Sequence, residues 1–326
     1  MIITRTPFRV SFLGGGTDYP QWYKSNGGAV LSTTIDKYCY LSCRYLPPFF
    51  EHKYRIVYSK IEDCLKASDI KHPVVRVLLE QMKISEGIEL HHDGDLPARS
   101  GMGSSSAFTV GLINVLSALN AKMISKRELA QQAIHLEQEL LKENVGSQDQ
   151  ISAAYGGLNL IQFLPNGDFT VQPVILPSKR MQEIEDHCLL FYTGIKRIAS
   201  QVAGQYISTL HDKESYLKIL HGLVFSGIEV LKNGGNILDF GELLHQAWTA
   251  KKSINNCITT SYVDEIYDKA LKYGAIGGKL LGAGGGGFLL IFAHPEKHEK
   301  IKRALGDLLH VPFKFETEGS KILFYE

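Results

Sequence analysis

At 326 residues, 44% hydrophobic and 21% charged, the chain is long enough for two domains with cores of their own, which excludes a small disulfide-stapled or disordered polypeptide. A formal charge of +1, with no basic block and no interleaving of basic and aromatic residues, gives a nucleic-acid or membrane-surface role no electrostatic support and leaves small anionic ligands open. Cys39, Cys43, Cys64, Cys188 and Cys257 are an odd set without a Cys-x-x-Cys pair and read as reduced thiols; with no apolar leader in Met1-Ile2-Ile3-Thr4-Arg5-Thr6-Pro7 and no membrane-length apolar window, the expected location is the cytoplasm.

Near the N-terminus Phe8, Val10 and Phe12 alternate with Arg9, Ser11 and Leu13, predicting a strand that turns Arg9 away from the main apolar face. It runs into Gly14-Gly15-Gly16-Thr17-Asp18-Tyr19, where three glycines by themselves need be no more than a turn. Gly28 to Tyr45 is a β-rich run, and Pro47 to Arg55 reads as a surface loop that packs its own aromatics. Its basic residues, with Arg44, are either solvated charge or contacts to a phosphate on a substrate. His91-His92-Asp93 lies on a strand, where neighbouring side chains point to opposite faces, and no further ligands stand nearby to complete a metal set.

The stretch Leu96-Pro97-Ala98-Arg99-Ser100-Gly101-Met102-Gly103-Ser104-Ser105-Ser106-Ala107 leads into the most apolar helix of the chain, with Phe108, Leu112, Val115, Leu116 and Leu119 at helical spacing. Two glycines and three serines at a helix start offer free amides to an anion, most plausibly phosphate; the plainer reading is a serine-capped core helix. No Lys follows the glycines, so the stretch is not a P-loop. Ser125 and Glu128 form a capping box for a further helix, along which Glu137 falls between Ala133, Ile134, Leu140 and Leu141. A carboxylate on an apolar stripe must be paired or bind a cation, so Glu137 is either a structural ion pair or a metal ligand. Asp149 opens a short helix from Gln148 to Tyr155, where an acidic residue is usually a cap.

Pro165-Asn166-Gly167-Asp168 is a hairpin turn, and Pro173 to Lys179 carries the expected boundary between a first domain, 1–175, and a second, 176–326. The second half opens on a strand, Cys188 to Tyr192, and continues with helical stretches around 198–211, 215–232, 239–253 and 260–273. Gly277-Gly278-Lys279-Leu280-Leu281-Gly282-Ala283-Gly284-Gly285-Gly286-Gly287 contains G-x-G-x-x-G, but a strand from Phe288 to Ala293 follows it where a dinucleotide fingerprint needs a helix. An amphipathic helix from Glu296 to His310 and two short strands are expected at the end.

Three of these stretches resemble, in order and spacing, the motifs of the GHMP kinase family, which includes galactokinase, homoserine kinase, mevalonate kinase and phosphomevalonate kinase. The loop at 97–106 resembles Pro-x-x-x-Gly-Leu-Gly-Ser-Ser-Ala, with Met102 for Leu and Ser106 for Ala. Pro7-Phe8-Arg9-Val10 followed by Leu13-Gly14 and Thr17-Asp18-Tyr19 resembles the first motif, with Gly15 and Gly16 where galactokinase has sugar-contacting Glu and His. The run at 279–287 resembles the third, Lys-Leu-x-Gly-Ala-Gly-x-Gly-Gly.

The resemblance implies an α+β, two-domain GHMP kinase fold, with an N-terminal domain like ribosomal protein S5 domain 2, a ferredoxin-like C-terminal domain and a site in the cleft. It implies ATP-dependent phosphoryl transfer to a hydroxyl with Mg2+. Amides of Gly101, Met102, Gly103, Ser104, Ser105 and Ser106 would hold the triphosphate, and Ser105 and Glu137 the magnesium. Asp149 would accept the hydroxyl proton, and Arg9 would pair with it and steady the transferred group. Gly15, Gly16, Thr17, Asp18, Tyr192, Gly194, Gly284 and Gly285 would surround the acceptor, with Arg197, then Lys53, as cations for a distal phosphate. Within the family the Gly-Gly-Gly-Thr-Asp turn, the 47–55 segment, His72-Pro73, Arg76 and Thr193-Gly194-Ile195 look like heptose 7-phosphate kinases, sugar 1-kinases that serve GDP-heptose and surface polysaccharide synthesis. A fucose-type sugar 1-kinase is the alternative. A catalytically dead relative is opposed by intact Glu137 and Asp149. The expected partners are ATP and a small sugar phosphate, with no nucleic acid and no membrane, in a monomer or homodimer.

Overall fold

The computed structural model describes all residues except Arg197, Ile198, Tyr206, Ser208 and Thr209, so Arg197 lies outside the described residues. The first half runs β1 (Ile2–Leu13), α1 (Pro20–Asn26), β2 (Gly28–Tyr45), β3 (Tyr54–Val57), β4 (Ile61–Cys64), α2 (Pro73–Gln81), β5 (Ile88–Gly94), α3 (Ser104–Leu119), α4 (Lys126–His135), α5 (Gln148–Tyr155), β6 (Asn159–Phe163) and β7 (Phe169–Pro173). The 18-residue β2 organises it: antiparallel to β1 along most of its length, it takes β6 beside Gly28–Ser32 and β5 beside Cys39–Tyr45. β1 is wholly buried from Thr6 onward, because α3 and α5 of this half and α8 and α9 of the second, whose ranges follow, all pack against it. α3 is buried from Ser106 to Ala118, as the width of its apolar stripe predicts.

The second half runs α6 (Ser178–Asp186), β8 (Cys188–Tyr192), α7 (Ala199–Gly204), α8 (Glu214–Lys232), α9 (Leu238–Lys252), α10 (Ser261–Lys272), β9 (Ala275–Leu280), β10 (Phe288–Ala293), α11 (His298–Ala304), β11 (Leu309–His310), β12 (Phe315–Glu316) and β13 (Lys321–Tyr325). Its sheet is antiparallel in the order β11-β8-β10-β9. Phe12 of β1 meets Phe240 of α9 edge-on at 5.5 Å between ring centroids, so the two halves share core.

Two expectations are corrected. The last helix stops at Ala304, and Leu309–His310 adds a strand to β8 instead. The final strands leave the second half: β12 pairs with β2 and β13 with β1, so the sheet of the first half includes strands from beyond residue 175. The helix bearing Glu137 also changes form, since Leu136–Leu140 is a π-turn, the wider winding that often marks a functional position.

Candidate active site

The loop before α3 is shaped by alternating backbone hands: Arg99, Gly101 and Gly103 have φ of 62°, 81° and 73°. Such alternation turns successive N–H groups toward one point, a nest for an anion. The first intrahelical bond of α3 is from Ala107 N–H to the Gly103 carbonyl at 2.8 Å, so the amides of Ser104, Ser105 and Ser106 have no helical acceptor. Met102 is fully buried and anchors the loop. Gly101 is glycine because a Cβ there would lie 2.4 Å from the Leu281 carbonyl; Gly282 and Gly287 press on Gly101 and Ser100 in the same way. The Phe288 N–H donates to the Ser100 carbonyl at 3.1 Å, joining the two glycine loops across the halves.

Arg9 and Asp149 meet beneath this loop. The guanidinium, 2% exposed, donates from Nε to Oδ1 at 2.7 Å and from Nη2 to Oδ2 at 2.8 Å, and from Nη1 to the Gly101 carbonyl at 2.7 Å. The paired donors fix the carboxylate in plane and position. A side chain at Gly103 would start 3.4 Å from Asp149 Oδ2, so the absence of one keeps that oxygen open to the loop.

Glu137 lies on the other side of the α3 N-terminus. Its Oε2 accepts from Ser106 Oγ at 2.9 Å and from Gln150 Nε2 at 2.5 Å, while Oε1, like Thr109 Oγ1 and Gln150 Oε1, is buried without a hydrogen-bond partner among the described residues. Burial raises its pKa to about 7 against the pull of the nearby Thr109 hydroxyl and of the Ser106 and Gln150 donors. No cation pairs with it among the described residues, so the ion-pair alternative falls. Magnesium is held by one or two carboxylates together with substrate phosphates, and an orphaned carboxylate oxygen beside a phosphate-type loop fits that need. Ser105 is exposed on the loop, and it is Ser106 that touches Glu137.

The Gly14–Asp18 turn, expected from the sequence to face the acceptor, follows directly on β1, the strand of Arg9. Asp18 is buried, accepts from the Gly16 N–H at 2.9 Å and is covered by Gly146, where a Cβ would sit 1.9 Å from its Oδ2; burial raises its pKa. Gly15 looks onto Ser11 Oγ, Gln148 Nε2 and Lys251 Nζ, and Gly16 onto Leu217 and Leu220 of α8. The Thr17 hydroxyl lies 2.9 Å from the carbonyls of both Gly14 and Ala29, which compete for its single proton, and accepts from the Ala29 N–H, so it shapes the turn rather than facing a ligand. Tyr192 packs its ring on Phe288, and its hydroxyl is buried without a partner among the described residues. Gly194 is exposed, whereas Gly284 and Gly285 lie on the backbone of Ile258, to whose carbonyl Gly285 N–H donates at 2.9 Å.

Lys53 is not brought to this cluster. It packs against Gly87, which immediately precedes β5, so it sits a strand's length, roughly 23 Å, from Gly94 at the end that feeds the phosphate-type loop. Arg44 and Arg55 pair with Glu89, and Arg55 also with Asp63. Two buried lysines have roles the sequence reading did not assign: Lys251, which it passed over, and Lys279, which it named only as the first residue of the third motif. Lys251 donates to the Gly282 carbonyl at 2.7 Å, and Lys279 to the Phe12 carbonyl at 3.0 Å. A signal existed for the first: Leu244, Ala247, Trp248 and Lys251 recur at i, i+3, i+4 and i+7, all on the buried face of α9.

Comparison with known proteins agrees in both halves. Residues 69–157 match the GHMP kinases N terminal domain and residues 228–310 the GHMP kinases C terminal domain. The D-glycero-alpha-D-manno-heptose 7-phosphate kinase of Campylobacter jejuni subsp. jejuni serotype O:2 is 30% identical over 98% of both chains. The L-fucokinase/L-fucose-1-P guanylyltransferase of Bacteroides fragilis is 27% identical over 92% of this chain and 35% of its own length. The crystal structure of a D-glycero-D-manno-heptose 1-phosphate kinase from Bacteroides thetaiotaomicron superposes with a TM-score of 0.81 at 22% identity, over the whole of both chains. With both domain families matched and a full-length relative beside them, the chain belongs to the GHMP kinases, ATP-dependent phosphotransferases with an alcohol group as acceptor, and has their two-domain fold.

Proposed function

We propose that the protein is a sugar 1-kinase that transfers the terminal phosphoryl group of ATP to the anomeric C1 hydroxyl of D-glycero-D-manno-heptose 7-phosphate, giving the 1,7-bisphosphate on the way to GDP-heptose and surface polysaccharide. The observation that carries the chemistry is the Asp149 carboxylate held by Arg9 directly beneath the free amides at the start of α3. The choice of sugar is supported by the full-length similarity to a heptose 7-phosphate kinase and by the Gly14-Gly15-Gly16-Thr17-Asp18 turn.

Phosphoryl transfer is mostly a matter of positioning and charge neutralisation. Amides from Gly101 to Ser106 cradle the triphosphate. The acceptor oxygen bonds to the terminal phosphorus as its proton passes to Asp149, the bond from phosphorus to the bridging oxygen breaks, and ADP leaves. Arg9 holds Asp149 in place throughout. Glu137, with Ser105, would hold Mg2+, which when bound neutralises phosphate charge.

The test is a panel of sugars and sugar phosphates with ATP and magnesium, with the product's new phosphate located by NMR. Phosphate at C1 of the heptose 7-phosphate supports the reading. A preference for unphosphorylated fucose, the substrate class of the second relative, would overturn the sugar and leave the kinase.

A further inference from the structure

Lys251 stands in the last turn of α9, 6% exposed, and reaches the junction of the two halves. Among the described residues its Nζ makes one hydrogen bond, to the Gly282 carbonyl at 2.7 Å, and no ion pair. An ammonium carries three donors, so two N–H groups have no acceptor among those residues. The charged groups facing it are Arg9 from β1, Asp18 from the turn after β1, Asp149 from α5 and Lys279 from β9. Asp149 is committed to Arg9, and Asp18 accepts from the Gly16 N–H. Three basic groups thus meet two carboxylates. Nζ faces the bare Cα of Gly15 together with two polar side chains: a Cβ at Gly15 would sit in contact with all three, 3.9 Å from Nζ, 3.7 Å from Gln148 Nε2 and 3.5 Å from Ser11 Oγ.

We propose that Lys251 is the phosphate-binding cation on the acceptor side of this site, its two free N–H groups receiving phosphate oxygens over Gly15. The inference rests on the kinase reading above and adds to it a residue that the family motifs do not contain. The phosphate has two sources, the acceptor's own or the group in transfer, and they are separable by experiment. Burial pushes Lys251 down to about 8 and Lys279 well below the usual lysine range, so the pocket holds less positive charge when empty than a bound dianion would draw into it.

The experiment compares wild type, Lys251→Arg and Lys251→Met on heptose 7-phosphate and on the unphosphorylated heptose, with saturating ATP and magnesium, across a range of pH. In wild type, kcat/KM for the phosphorylated acceptor falls as pH rises through about 8, because the free enzyme loses the ammonium. Lys251→Arg removes that limb, since a guanidinium stays charged. Lys251→Met raises KM for the phosphorylated sugar about 10- to 100-fold, as loss of a charge-assisted bond implies, with KM for ATP unchanged. If the acceptor's phosphate is the ligand, kinetics on the unphosphorylated sugar are unaltered; if the transferring group is, kcat falls by a like factor on both. Wild-type kinetics in Lys251→Met, or a basic limb near 8 that survives in Lys251→Arg, overturns the inference while the kinase reading stands. Failure of wild type to phosphorylate any sugar from ATP overturns both.

Discussion

Asp149 and Glu137 are both carboxylates near one helix terminus, and their surroundings divide the labour. Asp149 is pinned by two guanidinium bonds with its outer face toward the loop, the geometry of a group that takes a proton from a positioned hydroxyl. Asp149→Asn is expected to lower kcat by roughly 10²- to 10⁴-fold with ATP affinity nearly intact, read by steady-state kinetics beside nucleotide titration. The N-cap position of α5 is Ser147, so near wild-type turnover would reduce Asp149 to the structural partner of Arg9. Glu137 is instead buried with one oxygen unmatched, and burial raises its pKa from the usual 4.5 to about 7. Between those values the folded protein keeps a proton that the unfolded chain has released, so stability is lost as pH rises from 4.5 through 7. In chelator-treated protein Glu137→Gln is therefore expected to match wild type near pH 4.5 and to be more stable by about 1–3 kcal/mol at pH 8, measured by urea melts. Magnesium with nucleotide should narrow the gap by stabilising wild type more than the variant, which keeps the loop amides but lacks the charged ligand. A stability difference that is the same at both pH values would show that the proton is not the cause.

The local elements were largely legible, because their signals are short-ranged. β2, α5, β8 and β10 begin and end where alternation, capping and glycine place them, and the Ser125 box is made in full, with Ser125 N–H donating to Glu128 Oε2 at 2.9 Å and Glu128 N–H to Ser125 Oγ at 3.2 Å. The contacts between elements were less so. The resemblance to the third motif marked a glycine-rich loop at 279–287, but only the fold gives the reason for its glycines. Nothing local marked Lys53 as remote or Ser106 as the hydroxyl on Glu137, since both depend on which strands and helices become neighbours. At this scale Gly101→Ala is the informative change. The new Cβ would meet the Leu281 carbonyl at 2.4 Å with φ at 81°, so the loops must part. The expected result is a rise in KM for ATP of at least tenfold with a lowered melting temperature, whereas Ser125→Ala should cost about 1 kcal/mol and leave KM unchanged. If Gly101→Ala binds ATP like wild type, the two loops do not form one nucleotide site.

Across the whole molecule, the least legible feature is the return of the chain end to the first sheet. β12 and β13 carry no local mark of the sheet they join; that choice is made by contacts separated by most of the sequence. Ser320 Oγ lies 2.8 Å from Thr6 Oγ1 and accepts from Asn114 Nδ2 at 3.0 Å, and Ser320 N–H donates to the Ala153 carbonyl at 2.8 Å. The C-terminal segment therefore straps α5, the helix that carries Asp149, against β1, which carries Arg9. Gly319 tests whether the strap positions the site. Its φ is not in the left-handed region, but a Cβ would meet the Ala154 carbonyl at 2.2 Å, so Gly319→Val acts by displacing α5 rather than by straining its own backbone. Misplacement of a catalytic group by about 1 Å can cost on the order of 10²-fold in rate, so kcat is expected to fall by at least tenfold with KM for ATP little changed. Gly222→Ala, in α8 with nothing within 4 Å of the added carbon, serves as the control and should gain up to about 1 kcal/mol of stability with kcat unaltered. Should Gly319→Val lower the melting temperature while turnover stays at the wild-type rate, the strap would hold the fold together without setting the distance between Asp149 and the acceptor.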